Sequence, residues 1–198
     1  MEETLILKTA CQDLIDAAKR DMEYLAQLKE DDVLFTYNPG MRAIHEENAQ
    51  LLEKFLDTYG WPYPSQYGHE VHYAAWLIAI HAISKPALLK KVLAILEKAL
   101  HAGEPVANEY AKLSDRVGLY EGRGQIYGTQ FFPGPNGWYA PELIDSNNVD
   151  ERRAALGLST FEENKKEVGA GEGGFMDEAL MQEDEKRYIA FLKEFGWR

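Results

Sequence analysis

A small set of side chains in this sequence has the types and spacing that chemistry asks for: Asn48, His81, Asp115, Arg116, Gln125, Tyr127, Gln130 and Arg153. His81 lies among Ile80, Ala82 and Ile83 at the end of an apolar stretch. A buried imidazole needs partners for both ring nitrogens, and burial favours the neutral form that a general base uses. The same residue also reads as a core histidine bonded to a backbone carbonyl and one side chain. Asn48 interrupts an apolar stripe, and an unpaired buried carboxamide costs ~1–3 kcal/mol, so either a loop backbone or a ligand must bond it. Asp115-Arg116 offers a carboxylate that could orient His81 and a cation for an anionic group, or else a structural pair. Period two over 125–130 sets Gln125, Tyr127 and Thr129 on one face, and a bulge at Gly128 would add Gln130 to it. Arg153, beside Arg152, supplies a second cation or a solvated helix charge.

Taken together, these residues describe acid–base chemistry on a small polar or anionic molecule. His81 would be the base, oriented by Asp115 or Asn48. Arg116 and Arg153 would hold an anionic group, and Gln125, Tyr127 and Gln130 would select by hydrogen bonding. No metal site and no cofactor are expected. His69-Glu70-Val71-His72 puts its histidines three apart, one short of the zincin spacing. Cys11 is the only cysteine, which excludes an internal disulfide and a cysteine-built zinc site. Gly122-Arg123-Gly124, with Gly128 beyond it, precedes an expected strand, whereas phosphate loops follow one.

The elements that must position these groups are mostly helical. Leu7, Cys11, Leu14, Ala18, Met22 and Leu25 recur at three and four, predicting a helix over about 5–28. Asp31, Asp32 and Asn38-Pro39-Gly40 mark a loop. A second helix is predicted from Arg42 to Tyr59, ended by Gly60, with Ile44, Asn48, Leu52, Phe55 and Leu56 on its stripe. The stretch His69 to Ile83 is apolar nearly all round and too short for a bilayer, which takes ~20 residues, so it should be the buried central helix. Further helices are predicted over about 86–100 and 105–117. Gln125 to Phe132 and Trp138 to Ile144 flank Asn136-Gly137, a hairpin-turn signal. Asn148 to Glu151 resembles a capping box before a short helix. Gly169 to Gly174 reads as a linker and 175–198 as a peripheral charged helix.

The chain has 198 residues, 45% hydrophobic and 27% charged, enough for a buried core without staples. Its formal net charge of −12 repels phosphate backbones and anionic lipid, so neither nucleic acid nor a membrane is an expected partner. The start, Met1-Glu2-Glu3-Thr4, lacks the features of a signal peptide, and a cytoplasmic location is expected.

One string of motifs is family-like. Asn48, Tyr59-Gly60-Trp61-Pro62, Ala75-Trp76-Leu77-Ile78 leading to His81-Ala82, Asp115-Arg116-Val117, Gly124 to Gln130, and Arg152-Arg153-Ala154-Ala155-Leu156-Gly157-Leu158 occur in that order. It resembles a bacterial family known only as domain of unknown function 6624, over roughly 48–158. The resemblance supplies no reaction, and implies that the eight residues above act as one set. Family members commonly carry Gln before the His-Ala pair and an acidic residue after it, where this chain has Ile80 and Ile83 or Ser84.

The sequence thus predicts a mainly α fold. A helical bundle should surround a central apolar helix over 1–168, with one β-hairpin and a peripheral C-terminal helix. A ligand pocket is expected between the central helix and the hairpin. The alternative is a non-catalytic interaction protein, or secreted effector, whose polar set is structural and whose acidic Glu183-Asp184-Glu185 stretch serves a protein partner.

Overall fold

A computed structural model describes residues 2–28, 37–169 and 178–198. The described chain divides into two compact units, Met1–Pro105 and Val106–Arg198. Each is considered by itself.

Among the described residues the regular structure of the first unit is helical: α1 (Glu2–Leu25), α2 (Pro39–Tyr59), the single turn α3 (Pro64–Tyr67), α4 (His69–His81) and α5 (Pro86–His101). With no polar face to present, α4 packs against α1, α2, α3 and α5, and nine of its 13 residues are buried. Trp76 and Ile78 are 6% and 1% exposed, each burial contributing ~1.5–3 kcal/mol.

The buried face of α1 is Leu14, Ala17, Ala18 and Asp21, while Met22, which the apolar period places inward, is exposed. Helix α2 starts three residues earlier than its apolar stripe implies. The Asn38 side chain accepts from the amides of Gly40 (2.8 Å) and Met41 (3.4 Å), and Pro39 fits the first turn, where its missing N–H costs nothing. A Cβ at Gly40 would sit 1.9 Å from the Tyr24 hydroxyl, so any larger residue there would have to displace the tip of that ring. The loop residues Asp31 and Asp32 lie outside the described residues.

The second unit contains α6 (Ala107–Tyr120), a 3₁₀ turn (Ser146–Asn148), α7 (Val149–Ala155), α8 (Phe161–Glu167) and α9 (Glu178–Glu194). The expected β-hairpin is not formed. Among the described residues there are only isolated bridges, Gln125 with Leu143 and Phe132 with Tyr139. Around Gly134 and Gly137 the backbone does double back, since Phe132 and Tyr139 exchange two 2.9 Å hydrogen bonds. No ladder extends from there, because side chains take the donors a second strand would use. The amides of Ile126, Tyr127 and Thr129 go to Asp115, and that of Gln130 goes to Gln125. The predicted capping box also moves. Asn148 makes no side-chain cap, and the box is instead Thr160 with Glu163.

The terminal helix is not peripheral to its unit. Leu192 and Trp197 are buried, Tyr188 meets the rings of Tyr120 and Phe132, and Trp197 meets Tyr120. Arg198 donates to the carbonyls of Leu119 (2.7 Å) and Tyr120 (3.1 Å), satisfying the C-terminal end of α6. Of the predicted linker, everything past Gly169 lies outside the described residues, as do residues 175–177. Among the described residues no helix is long and apolar enough to cross a membrane.

Candidate functional site

The first unit buries one carboxylate between two imidazoles. Asp21 comes from the inward face of α1, His45 from the first half of α2, and His81 is the last residue of α4. His81 Nδ1 is 2.7 Å from Asp21 Oδ2, and His45 Nε2 is 3.0 Å from Asp21 Oδ1. The Tyr37 hydroxyl lies 2.8 Å from His45 Nδ1. The two imidazole centroids are 5.0 Å apart. Side-chain exposure separates the roles: Asp21 is 3% exposed and His45 4%, whereas the His81 ring is 20% exposed.

Protonation states follow from this geometry. Burial by itself would raise the Asp21 pKa, but hydrogen bonds from His45 and His81, and their charge when protonated, outweigh it and hold the carboxyl well below its usual range. An ionised carboxylate only accepts, so the nitrogens facing it carry the protons: Nε2 of His45 and Nδ1 of His81. In the neutral rings the other nitrogens are then acceptors. His45 Nδ1 accepts from the Tyr37 hydroxyl, and His81 Nε2 holds the lone pair on the more exposed ring. In this tautomer the His81 Nε2 lone pair is the form of imidazole that a general base uses.

The remaining sequence-selected residues are placed differently. Asn48, one turn along α2 from His45, is buried and donates to the Ala17 carbonyl at 3.2 Å. It also lines a polar cleft of about 400 Å³ on α1 and α2, with Asp13, Asp16, Arg20, Glu47 and Lys54; His81 does not line that cleft. His72 is buried, with Nδ1 3.2 Å from the Pro62 carbonyl and the Trp61 ring edge-on.

In the second unit the polar set binds its own backbone. Asp115, at 0% exposure, accepts from the amides of Ile126 (2.6 Å), Tyr127 (2.9 Å) and Thr129 (2.8 Å) and from the Thr129 hydroxyl (2.9 Å). Burial pushes its carboxyl up from the ordinary value against the pull of those four bonds. Gln125 donates to the carbonyls of Gln130 (3.0 Å) and Pro141 (2.8 Å), and the Gln130 amide returns a bond of 2.8 Å. Gly128 permits that return. Its φ is +67°, and a Cβ would meet the Phe161 ring at 2.6 Å. Arg116 donates to Gln130 Oε1 (3.0 Å), and Arg153 to the carbonyls of Ser159 (2.5 Å) and Tyr127 (2.8 Å). The Tyr127 phenol is pushed up to about 12, by burial first and then by Tyr110, so it is a neutral hydroxyl.

A family model described as a family of unknown function (DUF6624) matches residues 14–173. The chain belongs to the DUF6624 family. The match is wider than the motif string over 48–158, and it takes in Asp21 and His45 as well as His81. No curated protein and no solved structure matches the chain. The reasoning from sequence missed two members of this DUF6624 chain's histidine–carboxylate cluster. A signal was present for both: Asp21 falls seven residues after Leu14 and His45 seven before Leu52, each on the inward stripe of its own helix.

Proposed function

We propose that this DUF6624 protein performs hydrolysis or group transfer on a small polar or anionic molecule, with His81 as general base and Asp21 as its orienting carboxylate. The observation that carries this is the 2.7 Å contact from His81 Nδ1 to a buried, ionised Asp21. In the hydrolytic step, His81 Nε2 takes a proton from water as the water oxygen bonds to an electrophilic carbonyl or phosphoryl centre. The imidazolium so formed is stabilised by Asp21 and returns the proton to the departing group as its bond breaks. His45, itself bonded by Tyr37, holds the far side of the carboxylate, which fixes the plane from which His81 is aimed. The second-unit residues Asp115, Gln125 and Arg153 are read as a lock on the 125–130 segment, since their hydrogen bonds run to backbone.

The experiment is a panel of chromogenic esters, phosphoesters and amides assayed with wild type and His81→Asn, each also melted. General-base removal is expected to lower turnover by roughly 10²–10⁴-fold while the melting temperature moves by a few degrees. A folded His81→Asn protein with wild-type turnover would refute the reading, and so would a panel, extended by a metabolite thermal-shift screen, that yields neither turnover nor a stabilising ligand.

A further inference from the structure

We infer that Asp21, His45 and His81 together form a binding site for a divalent first-row transition metal of the zinc class. This inference rests on reading the cluster as the working centre, and it goes further by naming the ion the cluster would take. One ligand atom from each residue, an Asp21 carboxylate oxygen, a His45 nitrogen and a His81 nitrogen, lies within 4.8 Å of the other two. In a tetrahedral site with bonds of ~2.0–2.1 Å the ligand atoms stand about 3.3 Å apart. His45 Nε2 (3.0 Å) and His81 Nδ1 (2.7 Å) stand on different oxygens of Asp21, so a common centre needs those separations to open by a few tenths of an ångström and the three ligand atoms, all within 4.8 Å of one another, to close by at most about 1.5 Å. That is the scale of a small rotation of two side chains.

The donor set also chooses the ion. Two imidazoles and one carboxylate suit zinc and its neighbours, whereas calcium and magnesium take oxygen ligands. Three protein ligands leave a coordination position for water, the pattern of hydrolytic rather than structural zinc sites. Supporting contacts are in place as well. Metal-ligating histidines usually bond a second group through the other nitrogen, and the Tyr37 hydroxyl sits 2.8 Å from His45 Nδ1. Asp21 and His45 are buried while His81 is partly exposed, so the third ligand stands where an ion and its water would enter.

Binding requires each imidazole to turn its lone pair toward the ion. His45 moves its proton from Nε2 to Nδ1 and then donates to Tyr37, whose hydroxyl rotates to accept. His81 moves its proton from Nδ1 to Nε2. The imidazoles stay neutral and the carboxylate stays ionised, so a dication meets a ligand set of charge −1. In the metal-bound state His81 Nε2 no longer carries a lone pair, and the coordinated water takes over as the group to be activated. The metal-free and metal-bound centres thus differ in which atom does the work.

The test is calorimetric titration of chelator-treated full-length protein with zinc chloride, paralleled by cobalt(II) followed through its visible absorption. One ion per chain at micromolar affinity or tighter is expected, with the intense visible band of low-coordinate cobalt(II). His81→Gln, the ligand substitution least committed to the core, should weaken binding at least 100-fold while circular dichroism stays that of wild type. Asp21→Asn and His45→Gln should do the same where they fold, and His69→Gln, at an exposed histidine, should bind as wild type. Absence of binding below millimolar, or binding unchanged in folded His81→Gln, overturns the metal site. Neither readout uses turnover, so failure of the substrate panel leaves this inference standing. Turnover that survives full metal removal, with no zinc binding, overturns the metal while keeping His81 as base.

Discussion

Replacing Asp115 by Asn swaps one oxygen for an NH₂ group at a site where every neighbour is a donor. The remaining carbonyl oxygen can keep the Ile126 and Tyr127 amides, which now share one carboxylate oxygen at 2.6 and 2.9 Å. The new NH₂ then faces the Thr129 amide, 2.8 Å away in the native protein, and two donors cannot bond. The Thr129 hydroxyl can rotate to accept, but the Thr129 amide is stranded. Losing a charge-assisted hydrogen bond costs ~1.5–3 kcal/mol, and an unsatisfied donor in a part-buried setting adds ~1–3 kcal/mol. Restoring neutrality returns some of the cost of burying a charge, so the expected net loss is about 2–4 kcal/mol. Urea unfolding followed by fluorescence reports it, and single-tryptophan variants retaining Trp197 or Trp76 assign the loss to the second or the first unit. A loss under ~1 kcal/mol, or one seen through Trp76 alone, would refute the argument that Asp115 organises the 125–130 segment.

Two further outcomes follow from the geometry. The Asp21 carboxyl is held below its usual range, so the stability it contributes is complete above the unfolded value of ~3.9 and is lost as pH falls through the lower folded value. On metal-free protein, the melting-temperature advantage of wild type over Asp21→Asn should therefore shrink as pH falls below about 4; a constant advantage from about pH 4 down to about pH 2.5 would contradict it. Truncation after Val168 removes Leu192 and Trp197 from the second unit's core, together worth at least ~3 kcal/mol. The Trp138 transition should then fall by on the order of 10–20 °C or disappear, and an unchanged transition would return the terminal helix to the periphery.

Hydrophobic pattern located the long helices of the first unit, because α2, α4 and α5 bury stripes or whole surfaces that no other structure would cover. It failed where polar side chains did the organising. Asn38 turned a predicted loop into a helix start, and Asp115 with Gln125 drew off the amides that a hairpin over 125–144 would have paired. The same blindness hid two of the three members of the cluster. His81 stood out because it interrupts an apolar run. Asp21 and His45 were not singled out, since a hydrophobic stripe is counted without the polar member that shares its buried face. The motif string singles out Asp115, Gln125 and Arg153 as members of one functional set, and the partners they meet here are backbone amides and carbonyls. A buried polar residue announces a partner, and sequence does not say whether that partner is a loop or a ligand.

The claim on which the rest depends is that Asp21 fixes His81 with its lone pair on Nε2. Side-chain ¹⁵N NMR of metal-free protein labelled at histidine measures this directly, by assigning the tautomer of each ring at neutral pH. His81 should be the Nδ1–H tautomer and His45 the Nε2–H tautomer, with both patterns changing in Asp21→Asn. A His81 signal of the Nε2–H form, or one indifferent to Asp21→Asn, would contradict the account.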